Sequence, residues 1–183
     1  QVTIFLYHLF YAKILLLDQD QHGLNDYYGH APYNFTGGNS IAIKNQEMVD
    51  NLSFSDPVKA YLATQLELEK ALNTLINKLE ESNLLNDTVL VLTGDHYPYT
   101  LTMDQINELS TSEKDEIVEA NRSNLIIWNN KKENIQIDKV ASQIDVLPTI
   151  LNLFGVEYDS RLLIGNDILS DEEGLAIFSN RSW

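Results

Sequence analysis

The stretch Asn86-Asp87-Thr88-Val89-Leu90-Val91-Leu92-Thr93-Gly94-Asp95-His96 decides how this chain is read. Asn86-Asp87 is a turn signal, and Thr88 to Thr93 is a short, apolar, β-branched run of the kind buried on both faces of a parallel sheet. The run stops at Gly94, and a carboxylate and an imidazole follow at once. In open α/β sheets, sites gather beyond the carboxyl ends of strands, where Asp95 and His96 fall. Consecutive strand residues point to opposite faces, but a glycine before the pair frees the backbone to bend, so both groups can turn toward one point. Aspartyl oxygen plus histidine nitrogen suits a divalent cation such as Mn²⁺, Zn²⁺ or Mg²⁺, and two ligands do not choose among them. The plainer alternative is that Asp95 caps the following turn and His96 lies on the surface.

Upstream, Asp56 followed by Pro57 marks a helix start, and Val58, Leu62, Leu66, Leu72, Ile76 and Leu79 recur at helical steps. This predicts one amphipathic helix over residues 57 to 82, with Lys59, Glu67, Lys70, Asn73 and Lys78 on its polar face. Downstream, a second helix is expected from Met103 to Ala120, a strand from Asn124 to Trp128, and a short strand from Ile135 to Ile137. Asp145 is read as the cap of a helix through Phe154, with Pro148 in its first turn and Gly155 at its C-terminal end. After the Gly165-Asn166-Asp167 turn, Leu175 to Phe178 reads as a last strand. Val2 to Leu17 suits one or two buried strands or a buried helix, and Asp18 to Gly38 reads as a loop carrying His30. Helices alternating with strands argue for an α/β layer fold.

With 183 residues, the chain amounts to one domain or a large piece of one. Lys plus Arg number 12 against 27 Asp plus Glu, a formal charge of −15 that repels phosphate backbones and makes nucleic acid a poor partner. The absence of cysteine excludes disulfides, thiolate nucleophiles and zinc ribbons. His8 and Lys13 interrupt the longest apolar stretch, so no membrane span is expected, and a signal peptide is a poor match. Asp18-x-Asp20-x-His22-Gly23 fails as a calcium loop, because position twelve is Gly29 where a bidentate Glu is needed. Asn34-Phe35-Thr36 fits a glycosylation acceptor, a pattern too common in an Asn-rich chain to argue from. There is no nucleophile elbow, phosphate-cradling glycine loop or dinucleotide fingerprint.

Taken in order, Gly29-His30-Ala31-Pro32-Tyr33, the long helix, the Asn86–His96 stretch, Ser142-Gln143-Ile144-Asp145-Val146-Leu147-Pro148-Thr149-Ile150-Leu151 and Gly165-Asn166-Asp167-Ile168-Leu169 resemble the sulfatase-type branch of the alkaline phosphatase superfamily. Within it they are most similar to the lipoteichoic acid synthase family. The resemblance runs from about Tyr27 to Trp183 and leaves residues 1–26 unplaced. It implies an alkaline-phosphatase/sulfatase-like layered sheet with flanking helices, incomplete at the N-terminus. It further implies a divalent metal, often manganese, held in part by Asp95 and His96, and a substrate phosphate contacted by His30. The implied reaction is transfer of glycerol phosphate from phosphatidylglycerol, or hydrolysis of a phosphate or sulfate ester, outside the bacterial membrane. The family's threonine nucleophile lies well before the Gly-His-x-Pro-Tyr loop, and neither Thr36 nor Thr93 is a credible substitute. The chain alone is therefore expected to be soluble and nearly inactive, with an exposed sheet edge that favours self-association. The alternative is an acidic, non-catalytic binding module at the bacterial surface.

Overall fold

A computed structural model describes residues 3–8, 33–36, 39–94, 96–131, 134–178, 180–181 and 183. By contacts the chain divides into two units, Gln1–Lys132 and Glu133–Trp183, taken in turn.

The first unit holds a three-stranded sheet in the order β1-β2-β3, formed by Thr3–His8, Thr88–Thr93 and Leu125–Asn129. β1 and β2 run parallel, with Thr3 opposite Thr88 and His8 opposite Thr93. β3 returns antiparallel, with Thr93 opposite Leu125 and Val89 opposite Asn129. The fold is α/β, and β2, the apolar run of the sequence, is the central strand of this sheet. Thr88, Leu90 and Val91 are buried, as a strand paired on both edges and covered by a helix requires.

Four helices complete this unit among its described residues: α1 (Ser40–Lys44), α2 (Gln46–Val49), α3 (Asp56–Glu81) and α4 (Met103–Glu108). The long helix lies within a residue of its predicted bounds. Ser55, not Asp56, is the cap residue, and its N–H donates to Glu108 Oε2 at 2.7 Å. At the other end Asn83 adopts φ 56°, Asn83 N–H bonds to Glu80 O and Leu84 N–H to Leu79 O, the paired bonds of a left-handed helix stop.

α3 precedes β2 and serves two cores. Near its C-terminus Leu75 and Leu79 pack with Leu90, Ile76, Leu85 and Trp128, covering one face of the sheet. Near its N-terminus Ala60 and Ala63 are fully buried with Tyr33, Ala42, Val49, Leu101 and Ile106. The helix is about 39 Å long and β2 about 20 Å, so α3 outreaches the strand. The predicted apolar stripe missed the two alanines: α1 and α2 lie against α3, and close helix approach selects small side chains.

The polar face of α3 also departs from expectation at Glu67, whose side chain is only 15% exposed. It accepts hydrogen bonds from Lys44 Nζ (2.7 Å), Asn45 Nδ2 (3.0 Å) and Lys70 Nζ (3.1 Å). The buried Asn45 completes the cluster, its Nδ2 also donating to Ala63 O and its Oδ1 accepting from Lys70. Burial alone would raise the Glu67 carboxyl, but the bonds from Lys44, Asn45 and Lys70 outweigh it and lower the pKa to about 2.

The helix expected over 103–120 ends at Glu108. Asn107 Oδ1 accepts the Lys114 N–H, and Asp115 Oδ1 accepts the N–H groups of Ile117 and Val118. These side-chain acceptors offer the backbone an alternative to helix, and only a single 3₁₀ turn, Glu119–Asn121, follows.

In the second unit α5 (Val146–Leu153) follows a 3₁₀ turn, Gln143–Asp145. Gly155, at φ 61°, ends α5 as its position predicts: Gly155 N–H bonds to Asn152 O and Val156 N–H to Leu151 O. Asp145 occupies the N-cap position of α5 as expected, but its side chain makes no capping bond there; its carboxylate accepts from Ser142 N–H at 2.7 Å and from Asn166 N–H at 2.8 Å. Thr149, almost fully buried, donates to Asp145 O and accepts from Ile168 N–H at 2.9 Å. The Gly165–Leu169 stretch is thereby stitched to the start of α5, and a side chain on Gly165 would collide with the Ile144 carbonyl. The strands expected at Ile135–Ile137 and Leu175–Phe178 do not form. Ile135 and Ile177 are exposed, and among the described residues neither run has a ladder partner to satisfy its backbone.

Candidate metal and phosphate-ester site

The carboxyl end of β2 is where the sequence reading converges. β1 ends alongside it, with His8 opposite Thr93. Gly94, the next residue, donates its N–H to Ser123 Oγ at 3.2 Å, joining the strand end to the segment that leads into β3. A Cβ on Gly94 would stand 2.5 Å from that oxygen, and Gly155 is the described glycine with a positive φ. Gly94 thus stands where Ser123 Oγ approaches closely, and the bend toward Asp95 expected from the sequence runs into residues outside the described ones.

His30 and Asp95 lie outside the described residues. His96 is described, half-buried in the loop after β2. Its Nδ1 is 2.6 Å from the Tyr97 carbonyl oxygen. A carbonyl can only accept, so Nδ1 carries the proton in this bond and, in the neutral ring, the lone pair falls on Nε2. An N–H donated to a backbone carbonyl is the usual outer partner of a metal-binding imidazole, so His96 has the tautomer a divalent cation takes. Among the described residues no three His, Asp or Glu converge as a metal cage.

Two aromatic residues near the sequence candidates are buried or packed in one core. Tyr33, three residues after His30, is buried in the core on the N-terminal half of α3 and meets Tyr61 edge-on, with centroids 5.1 Å apart. Burial raises the pKa of the Tyr61 phenol. Tyr97, directly after His96, packs against the same core. The N-terminal half of α3 thus holds Tyr33 and Tyr97 in one apolar cluster. The sequence reading missed this shared cluster. Its signal was there, in an aromatic residue three positions after His30 and one directly after His96.

An α/β domain with an Asp-His pair just past the carboxyl end of a parallel strand belongs to the broad class that binds ligands at strand ends. Within that class the comparison is specific: the Sulfatase family profile matches residues 15–156, and the chain belongs to that family. Lipoteichoic acid synthase of Staphylococcus saprophyticus is 30% identical over 118 residues, covering 63% of this chain and 18% of that protein. Lipoteichoic acid synthase of Staphylococcus aureus strain USA300 is 31% identical over 116 residues, covering 62% of this chain and 18% of that protein. The chain thus spans under a fifth of the length of these relatives. No helix among the described residues is long and apolar enough to cross a membrane.

Proposed function

We propose that this chain supplies part of the metal and phosphate site of a sulfatase-type enzyme at the outer face of a bacterial membrane. Its reaction is transfer of glycerol phosphate from a phosphatidylglycerol-like lipid, or hydrolysis of a related phosphate or sulfate ester. The observation that carries this reading is His96, one residue past the candidate Asp95 at the end of β2, with its Nδ1 proton committed to the Tyr97 carbonyl.

In this reading Asp95 and His96 hold a divalent cation, Mn²⁺ ahead of Zn²⁺ or Mg²⁺. When bound, the cation supplies Lewis acidity toward an ester oxygen and lowers the pKa of a coordinated nucleophile. Asp95 contributes a hard, negative oxygen and His96 a neutral nitrogen. His30 donates to a non-bridging phosphate oxygen and offsets charge on the transferring group. The cation also reverses the local field of a chain with net charge −15, which otherwise repels an anionic ester. The layered alkaline-phosphatase-like sheet extends the three strands described above, and an unpaired strand edge favours self-association.

No threonine of this chain serves as nucleophile in this reading. Thr93 lies within β2, its hydroxyl donating to Gly94 O, and Thr36 closes a small turn onto Asn34. The test is calorimetric titration with Mn²⁺ and with Zn²⁺, alongside turnover of a chromogenic phosphodiester. Binding is expected in the wild type and lost in both Asp95→Ala and His96→Ala, with negligible turnover. Equal metal binding in both variants, or robust turnover unaffected by either, overturns the reading.

A further inference from the structure

The imidazole of His96 lies flat on the phenol ring of Tyr99, with centroids 4.1 Å apart and planes 12° apart. Tyr99 in turn meets Tyr97 edge-on, at 4.8 Å and 85°. The backbone between is fixed independently of His96. Pro98 restricts its own φ, the Leu101 N–H closes a turn onto Pro98 O at 3.0 Å, and Leu101 is buried in the core that holds Tyr97. Tyr99 itself is 57% exposed, so the stack on His96 lies at the surface.

An imidazole on a loop has two soft torsions and two ring orientations related by a flip. The stack on Tyr99 fixes the plane of the His96 ring, and the bond from Nδ1 to the Tyr97 carbonyl fixes which edge faces which way. Either constraint alone leaves a freedom open: a stacked ring can still flip within its plane, and a ring tethered at Nδ1 can still swing about the tether. Together they define a single ring pose and a single tautomer.

From this we propose that Tyr99 is a positioning residue for His96, holding the imidazole in the pose and tautomer in which Nε2 carries the lone pair that a divalent cation takes. This rests on the metal reading of Asp95 and His96 given above. The phenol hydroxyl has no part in it, so the stacking face alone must carry the effect. Tyr99→Phe should then preserve the function and Tyr99→Leu should lose it. A role through the hydroxyl, or through general packing of the exposed side chain, predicts a different pattern.

The experiment uses the full chain, labelled with nitrogen-15, and reads the His96 ring by long-range proton–nitrogen correlation before any metal is added. His96→Asn identifies the signals. In wild type and Tyr99→Phe, the His96 carbon-bound protons are expected upfield from the ring current, with nitrogen shifts of one tautomer, the proton on Nδ1. In Tyr99→Leu the upfield displacement is lost and the nitrogen shifts move toward a tautomer average. Titration with Zn²⁺ alone is then expected to show affinity unchanged in Tyr99→Phe and about tenfold weaker in Tyr99→Leu, the scale of an outer partner of a ligand. Far-UV circular dichroism confirms that each variant is folded.

His96 shifts that are the same in Tyr99→Leu and wild type overturn the positioning role, as does a lost ring-current shift with undiminished Zn²⁺ affinity. A wild type that shows the stacked, single-tautomer ring yet binds neither Zn²⁺ nor Mn²⁺ overturns the metal reading and the role built on it. The first two results leave the metal reading standing, so the failures are distinguishable.

Discussion

Replacing Glu67 with Gln tests whether the cluster it forms with Lys44, Asn45 and Lys70 stabilises the fold as its geometry implies. Burial works against the carboxylate, yet three donors at 2.7, 3.0 and 3.1 Å lower its pKa from an ordinary 4.5 to about 2. Each pKa unit is worth about 1.4 kcal/mol, so the upper bound on stabilisation at neutral pH is roughly 3 kcal/mol. The two lysines are 46% and 48% exposed, and solvent screening reduces the expected value to about 1–2 kcal/mol. The sign follows from linkage. A carboxyl with a depressed folded-state pKa stabilises fully above its unfolded value of 4.5, and that contribution is lost as pH falls toward about 2. Urea unfolding at pH 7 and pH 3 is therefore expected to show Glu67→Gln less stable than wild type by about 1–2 kcal/mol at pH 7, with much of the gap closed at pH 3. A gap that is the same at both pH values, or absent at pH 7, refutes the argument. A gap of constant size would mean that Gln fails through shape rather than charge.

Two further perturbations probe one contact within each unit. Asp145→Ala leaves the Ser142 and Asn166 N–H groups without their acceptor and is expected to cost about 3 kcal/mol in urea unfolding; a loss below about 1 kcal/mol would show that water replaces the carboxylate freely. Ala63→Leu forces a larger side chain into the fully buried seam where α1 and α2 meet α3, and is expected to lower stability by about 1–3 kcal/mol, measured by thermal unfolding.

Much of the first unit was legible in the chain. The α3 helix followed from a proline near its start and a helical apolar period, and β2 from an unbroken β-branched run between a turn and a glycine. The strand after it was legible within a residue. What failed did so for local reasons that periodicity cannot express. The helix expected over 103–120 lost its second half to Asn107 and Asp115, whose side chains capture backbone N–H groups. Ile135–Ile137 and Leu175–Phe178 have strand composition without a partner strand among the described residues. At the candidate site, the residue types and their place at the end of β2 were readable, but the stacking of Tyr99 and the Tyr97 carbonyl at Nδ1 were not.

The sequence by itself determined what depends on neighbours along the chain: the long helix, the strand that ends at Gly94, the left-handed stop at Gly155, the absence of thiol chemistry, and the family. Only the tertiary structure decided what depends on neighbours across space. It turned Glu67 from a solvated charge into the acceptor of three donors, gave the Asp145 carboxylate the Asn166 N–H as a partner, and brought Ser123 Oγ against Gly94. A side chain's local pattern fixes the element it joins, whereas its environment and protonation depend on groups that folding brings to it from dozens of residues away.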